Sequence, residues 1–112
     1  MRVNCAIAAL TGLFLCVSTS AIAGAGWTGF AMVMELRPTS QIRYIFRLDV
    51  AKNPSGCTSE QFFYQDYPAS GSQQMFRTLL SAVEYRKNVR VYVTGRCDLD
   101  GYSEISAVSI VP

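Results

Sequence analysis

Strand-type alternation recurs in five runs of this sequence, and one helical run separates the third from the fourth. The strand-type runs cover residues 27–36, 41–50, 62–64, 89–94 and 104–111. In the second run every other side chain is apolar, which predicts a strand with one buried face. The residues on that face are Ile42, Tyr44, Phe46, Leu48 and Val50.

The helical run carries one apolar stripe with the spacing of an amphipathic helix. Its members are Met75, Phe76, Leu79, Leu80 and Val83. Ser70 and Gln73 have the spacing of a capping box, so we expect the helix to begin at that point. Cationic Arg86 and Lys87 near the far end favour its termination there.

The order of these runs predicts a mainly β fold with one helix. Three strands, a helix and two more strands follow one another in the OB fold, a small five-stranded Greek-key barrel capped by an α-helix between strands 3 and 4. Closure into a barrel hides the strand edges that five short strands in an open sheet leave free. The alternative layout is an open α+β sheet with the helix on one face.

The first 23 residues have the features of a secretory leader. Arg2 precedes an apolar stretch over residues 6–17, and residues 21–23 read Ala-Ile-Ala, the small-x-small form of a cleavage site. The apolar stretch is shorter than the roughly 20 residues of a membrane span. We expect cleavage after Ala23 or Ala25 and export to the periplasm or the medium. Removal of 23 of the 112 residues leaves 89, a single domain at 24–112.

Export determines how the cysteines are interpreted. Cys5 and Cys16 lie in the leader, which leaves Cys57 and Cys97 as an even pair in an oxidising compartment. We predict a Cys57–Cys97 disulfide, worth roughly 3–5 kcal/mol in the chain-entropy model. Two free buried thiols are the alternative.

Composition excludes several functional classes. Without Arg2, nine basic side chains face eight acidic ones, so binding to nucleic acid through counterion release is disfavoured. The chain has no histidine, which removes histidine-activated nucleophiles and histidine-based metal sites. Asp98, Asp100 and Gly101 are more typical of a hairpin turn than of a calcium loop. We therefore predict a protein that is not an enzyme and has neither a metal nor a cofactor.

Three short motifs resemble a known family. Trp27, Thr28 and Gly29 follow the leader, the helix reads MFRTLLSAVEY, and the next strand reads NVRVYV. In these features the chain resembles the B subunits of subtilase cytotoxin and of the related typhoid-type toxins. The resemblance implies an OB-fold subunit that assembles into a pentamer, binds cell-surface glycans and accompanies a catalytic A subunit. The family's glycan site uses a serine in the first strand segment. Residues 30–34 have no hydroxyl here, so sialic-acid specificity is not implied.

Aromatic and cationic side chains are the candidates for sugar binding. Tyrosine offers a ring face for stacking and a hydroxyl for hydrogen bonding, and arginine adds donors for an acidic sugar. Packing at the rim of a small barrel is the alternative role for these tyrosines, and a free-standing structural or interaction module is the alternative function. The candidate residues are Tyr64, Tyr67, Tyr85, Tyr102, Arg37 and Arg43.

Overall fold

A computed structural model describes residues 24–112, which form six strands and one helix. The predicted leader, residues 1–23, lies outside the described residues. The elements in chain order are β1 (Gly26–Trp27), β2 (Ala31–Pro38), β3 (Arg43–Leu48), β4 (Phe62–Asp66), α1 (Ser72–Tyr85), β5 (Asn88–Cys97) and β6 (Ser103–Ile110). The prediction of a mainly β fold with one helix is confirmed. The predicted count of five strands was wrong.

The extra strand arises because the first predicted run is divided in two. Thr28 interrupts the run: its Oγ1 donates to the Gly29 carbonyl and accepts from the Val91 amide, at 2.9 and 3.1 Å. After Thr28 the chain leaves the ladder at Gly29 and Phe30, and β2 rejoins β5 with Ala31 opposite Val89. Gly26 and Trp27 pair with β5 before this interruption, opposite Val93 and Tyr92.

The other five strands pair in a closed cycle. β2 pairs antiparallel with β3, and β3 pairs antiparallel with β4. β4 pairs parallel with β6, β6 antiparallel with β5, and β5 antiparallel with β2. Each of these five strands therefore has two neighbours, and β1 adds a short pairing on β5.

The core lies on the inward faces of these strands, as the alternation predicts. Tyr44, Phe46 and Leu48 of β3 have no exposed surface, and the rings of Phe46 and Phe63 stack with centroids 5.3 Å apart. The β5 and β6 residues that complete this layer are Val89, Val91, Val93 and Ile105.

Helix α1 covers this core with a narrower face than its sequence stripe suggests. Leu79 and Ala82 are buried, whereas Leu80 and Val83 remain 46% and 43% exposed. The predicted capping box is not formed. The residue before the helix is Gly71 in a left-handed conformation with a φ of 79°, and no side chain caps the first turn. Within the described residues no helix is long and apolar enough to cross a membrane.

The predicted disulfide is confirmed. Cys57 and Cys97 are bonded, with their Cα atoms 5.7 Å apart. The bridge joins the segment that precedes β4 to the end of β5. The Ser59 amide also donates to the Gly101 carbonyl at 3.0 Å, so a backbone hydrogen bond links the same two segments. Together they hold the turn between β5 and β6 against the segment that precedes β4.

Candidate functional site

The outer face of β3 and β4 brings together Arg43 and Tyr64, two of the predicted site residues. Both alternate with core residues, so their side chains leave the sheet on the side opposite Phe46 and Phe63. The Arg43 guanidinium lies 4.2 Å from the centroid of the Tyr64 ring. Stacked in this way, the arginine covers a tyrosine that is only 4% exposed.

Two carboxylates fix the position of Arg43. Its Nε lies 3.1 Å from Asp66 Oδ1, and its Nη1 donates to Asp98 Oδ2 at 2.9 Å. Asp98 in turn accepts from the amides of Asp100 and Tyr102 through Oδ1, at 2.9 Å each. The arginine charge is therefore already balanced, and its main effect is to tie the hairpin turn to β3.

Burial raises the pKa of the Tyr64 phenol, and the nearby charge of Glu104 raises it further. The hydroxyl of Tyr64 consequently remains protonated at neutral pH and is able to donate a hydrogen bond.

A cleft of about 410 Å³ opens beside these groups. Its wall offers two carboxylates and two guanidinium groups, together with the fully exposed Leu99 and the small accessible part of Tyr64. We call it the Tyr64 cleft. Its lining residues are Arg43, Tyr64, Arg96, Cys97, Asp98, Leu99 and Asp100.

Tyr102 and Arg37 extend this face through Phe62. The rings of Phe62 and Tyr102 stack at 5.0 Å, and the Arg37 guanidinium lies 6.0 Å from the Phe62 centroid. Arg37 is also paired, because its Nε donates to Glu35 at 3.0 Å. Four of the six predicted residues thus share one side of the molecule.

The other two predicted residues lie apart from this face. Tyr67 is engaged by Thr39, whose amide donates to the phenol oxygen at 2.8 Å and whose carbonyl accepts from the phenol at 2.7 Å. It borders a separate cavity of about 390 Å³ next to the start of α1. Tyr85 is 69% exposed at the far end of α1, beside Lys87 and the residues that follow β6.

Sequence reasoning missed a second cluster of aromatic and cationic groups. Arg90 lies on the outer side of β5, with its guanidinium 4.4 Å from the centroid of the Trp27 ring and 5.1 Å from that of Phe30. Trp27 meets Tyr92 edge to face at 5.5 Å. The alternation of Arg90 and Tyr92 with the buried valines of β5 is the signal that could have revealed it. The pairing of β1 with β5 could not be read from the sequence.

Among residues 24–112 no group of three or more metal-ligating side chains is arranged to hold a metal ion. Comparisons with protein-family models, with curated proteins and with solved structures found no match for this chain.

Proposed function

We propose that this protein is a secreted, non-catalytic, carbohydrate-binding subunit with an OB fold, resembling the B subunits of subtilase-type toxins. The observation that carries the proposal is the position of the Tyr64 cleft on the cycle of strands. OB-fold barrels bind oligosaccharides and oligonucleotides on the face of their second and third strands, between the loops 1–2 and 4–5. Counting from β2, those strands are β3 and β4, and the loop 4–5 is the hairpin turn at residues 98–102.

The cycle of pairings supports the OB fold. β2, β3 and β4 form an antiparallel meander, β6 returns parallel to β4, and β5 closes onto β2. The helix lies between the third and fourth strands of that cycle. β1 is an addition to this plan, since it pairs with β5 alone.

The chemistry of the Tyr64 cleft favours a neutral sugar. Sugar hydroxyls both donate and accept, and the cleft offers carboxylate acceptors in Asp98 and Asp100 with arginine donors beside them. Leu99 supplies an apolar surface for the C–H face of a sugar ring. Because Arg43 is already paired with two carboxylates, it has little attraction left for an anionic ligand. The balanced charge also argues against an oligonucleotide.

A glycan array probed with the purified protein tests the proposal, followed by titration of the best-bound sugar. We expect Asp100→Asn to weaken that binding by about tenfold or more, because it removes a charged acceptor without changing shape. Glu84→Gln, the same chemical change at an exposed position of α1, should leave the affinity within about twofold. Absence of binding to every sugar on the array, or equal losses in both variants, would contradict the proposal.

An apolar groove between β2 and α1 favours protein contact as well. Val33, Leu36 and Phe76 border a cavity of about 450 Å³ there, and Met34, Leu80 and Val83 are 43–50% exposed around it. The resemblance to the toxin B subunits implies two kinds of such contact, one between the copies in a pentamer and one with a catalytic A subunit. The alternative, a free-standing periplasmic or secreted interaction module, needs no ring.

Size-exclusion chromatography with light scattering on the purified protein separates these two possibilities. The toxin-like subunit is expected to give the mass of a pentamer, because exposed apolar side chains beside a helix are buried when neighbours pack around a ring. A monomer or dimer at micromolar concentration would favour the free-standing module instead. The mass of the reduced and denatured chain provides the reference for counting subunits.

A further inference from the structure

Arg90 is held between two exposed aromatic rings. Its neighbours on β5, Val89 and Val91, point into the core, so Arg90 projects outward. Trp27 and Phe30 contact the guanidinium from their ring faces and are themselves 40% and 45% exposed. We call these three residues the Arg90 platform. The β1–β5 pairing and the T-shaped contact with Tyr92 hold Trp27 in place.

Arg90 differs from the arginines selected by sequence reasoning because it has no carboxylate partner among the described residues. Arg37 is paired with Glu35, and Arg43 is paired with two aspartates. Arg90 forms no ion pair within residues 24–112, and its Nε is buried without a hydrogen-bond partner. The buried Nε is closed to a ligand, but Nη1 and Nη2 are not buried and form no hydrogen bond among the described residues, so these two terminal nitrogens can bind a carboxylate through two parallel hydrogen bonds.

We propose that the Arg90 platform binds the carboxylate of an acidic saccharide. A uronic-acid ring combines a carboxylate with an apolar C–H face, which matches a single guanidinium flanked by two exposed aromatic rings. The site is independent of the Tyr64 cleft, because Arg90 and Cys97 lie seven positions apart on β5, roughly 23 Å along an extended strand. In this proposal the Tyr64 cleft binds a neutral sugar and the Arg90 platform binds an anionic one.

Trp27 makes this site directly observable because it is the only tryptophan in the chain. Selectively excited tryptophan fluorescence of the purified protein is titrated with trigalacturonic acid and, as the matched neutral probe, with its fully methyl-esterified form. We expect a saturable change of emission with the acid and none with the ester. Arg90→Gln should weaken binding by about tenfold or more, because it removes charge-assisted hydrogen bonds. Arg77→Gln, the same change on an exposed part of α1, should stay within about twofold.

The Arg90→Lys variant distinguishes a loss of binding from a loss of folding. It keeps the charge and loses the planar fork, so we expect intermediate affinity with an unfolding transition close to that of the unmodified protein. Equal responses to the acid and the ester, equal losses in the Arg77 and Arg90 variants, or no saturable response would overturn the proposal. Saturation by hexaglutamate as strong as that by trigalacturonic acid would overturn it too, in favour of an acidic protein segment.

The two binding proposals fail separately. Sugar binding on the array that depends on Asp100, without a change in Trp27 fluorescence, would contradict only the proposal for the Arg90 platform. A change in Trp27 fluorescence that depends on Arg90, without sugar binding that depends on Asp100, would contradict only the proposal for the Tyr64 cleft.

Discussion

Replacing Cys57 and Cys97 together by alanine is expected to lower the free energy of unfolding by about 4 kcal/mol. The bridge closes a loop across a sequence separation of 40 residues. In the chain-entropy model a loop of that length restricts the unfolded chain by about this amount at 25 °C. Domains of this size have total stabilities of roughly 5–15 kcal/mol, so the loss is a large share of the whole. The corresponding drop in Tm is on the order of 15–30 °C.

Equilibrium unfolding in urea, with and without reductant, measures this effect. Reduced wild-type protein should match the double alanine variant, and reductant should leave that variant unchanged. A loss below about 1 kcal/mol would show that the denatured chain is already restricted in this region or that the bridge strains the folded state.

The same bridge connects stability to the Tyr64 cleft. Cys97 lines the cleft, and the hairpin turn after it carries Asp98 and Asp100. The Ser59–Gly101 hydrogen bond, the Arg43–Asp98 ion pair, the Phe62–Tyr102 stack and the β4–β6 pairing also tie this hairpin to the rest of the sheet. A partly exposed ion pair contributes little by itself. The covalent bond is the one of these constraints that a reductant removes, so reduction should also loosen the geometry of the cleft.

The core was predictable because its pattern is local. Alternation over residues 41–50 places Tyr44, Phe46 and Leu48 on one side, and the structure buries all three completely. The division of the first strand was not predictable, because it depends on Thr28 bonding to Val91, a partner 63 residues away. The capping box failed for a local reason: Gly71 takes the left-handed conformation that ends the preceding turn, so the helix begins one residue later.

The candidate site was predictable in position more than in chemistry. Outward alternation was enough to put Arg43 and Tyr64 on one face. The ion pair that balances the Arg43 charge could not be predicted, because its partner Asp98 lies 55 residues away in the sequence. Conversely, alternation along β5 indicates that Arg90 faces outward, but it does not show which groups surround the guanidinium. Its character depends on β1 bringing Trp27 alongside β5.

Alkaline pH is expected to destabilise the protein through Tyr44. This tyrosine has no exposed surface, and its hydroxyl donates to Gln65 Oε1 at 2.8 Å, while Gln65 Nε2 donates to the Ile105 carbonyl at 3.2 Å. Burial raises the pKa of Tyr44 well above its ordinary value of 10.0, because a phenolate would lose its hydration inside the core. The unfolded chain therefore releases this proton at lower pH than the folded chain does.

The stability that depends on the Tyr44 proton is complete below pH 10 and is lost as the pH rises towards the folded-state pKa. The free energy of unfolding should fall by up to about 1.4 kcal/mol per pH unit in that range. Urea titrations at a series of pH values from about 8 to about 11.5 measure this slope. That range spans the ordinary tyrosine pKa. Tyr44→Phe should make the free energy of unfolding depend less on pH. Some dependence should remain, because burial also raises the pKa of Tyr64. The matched change at an exposed position, Tyr85→Phe, should preserve the wild-type slope. An unchanged slope in Tyr44→Phe would mean that another group causes the alkaline loss.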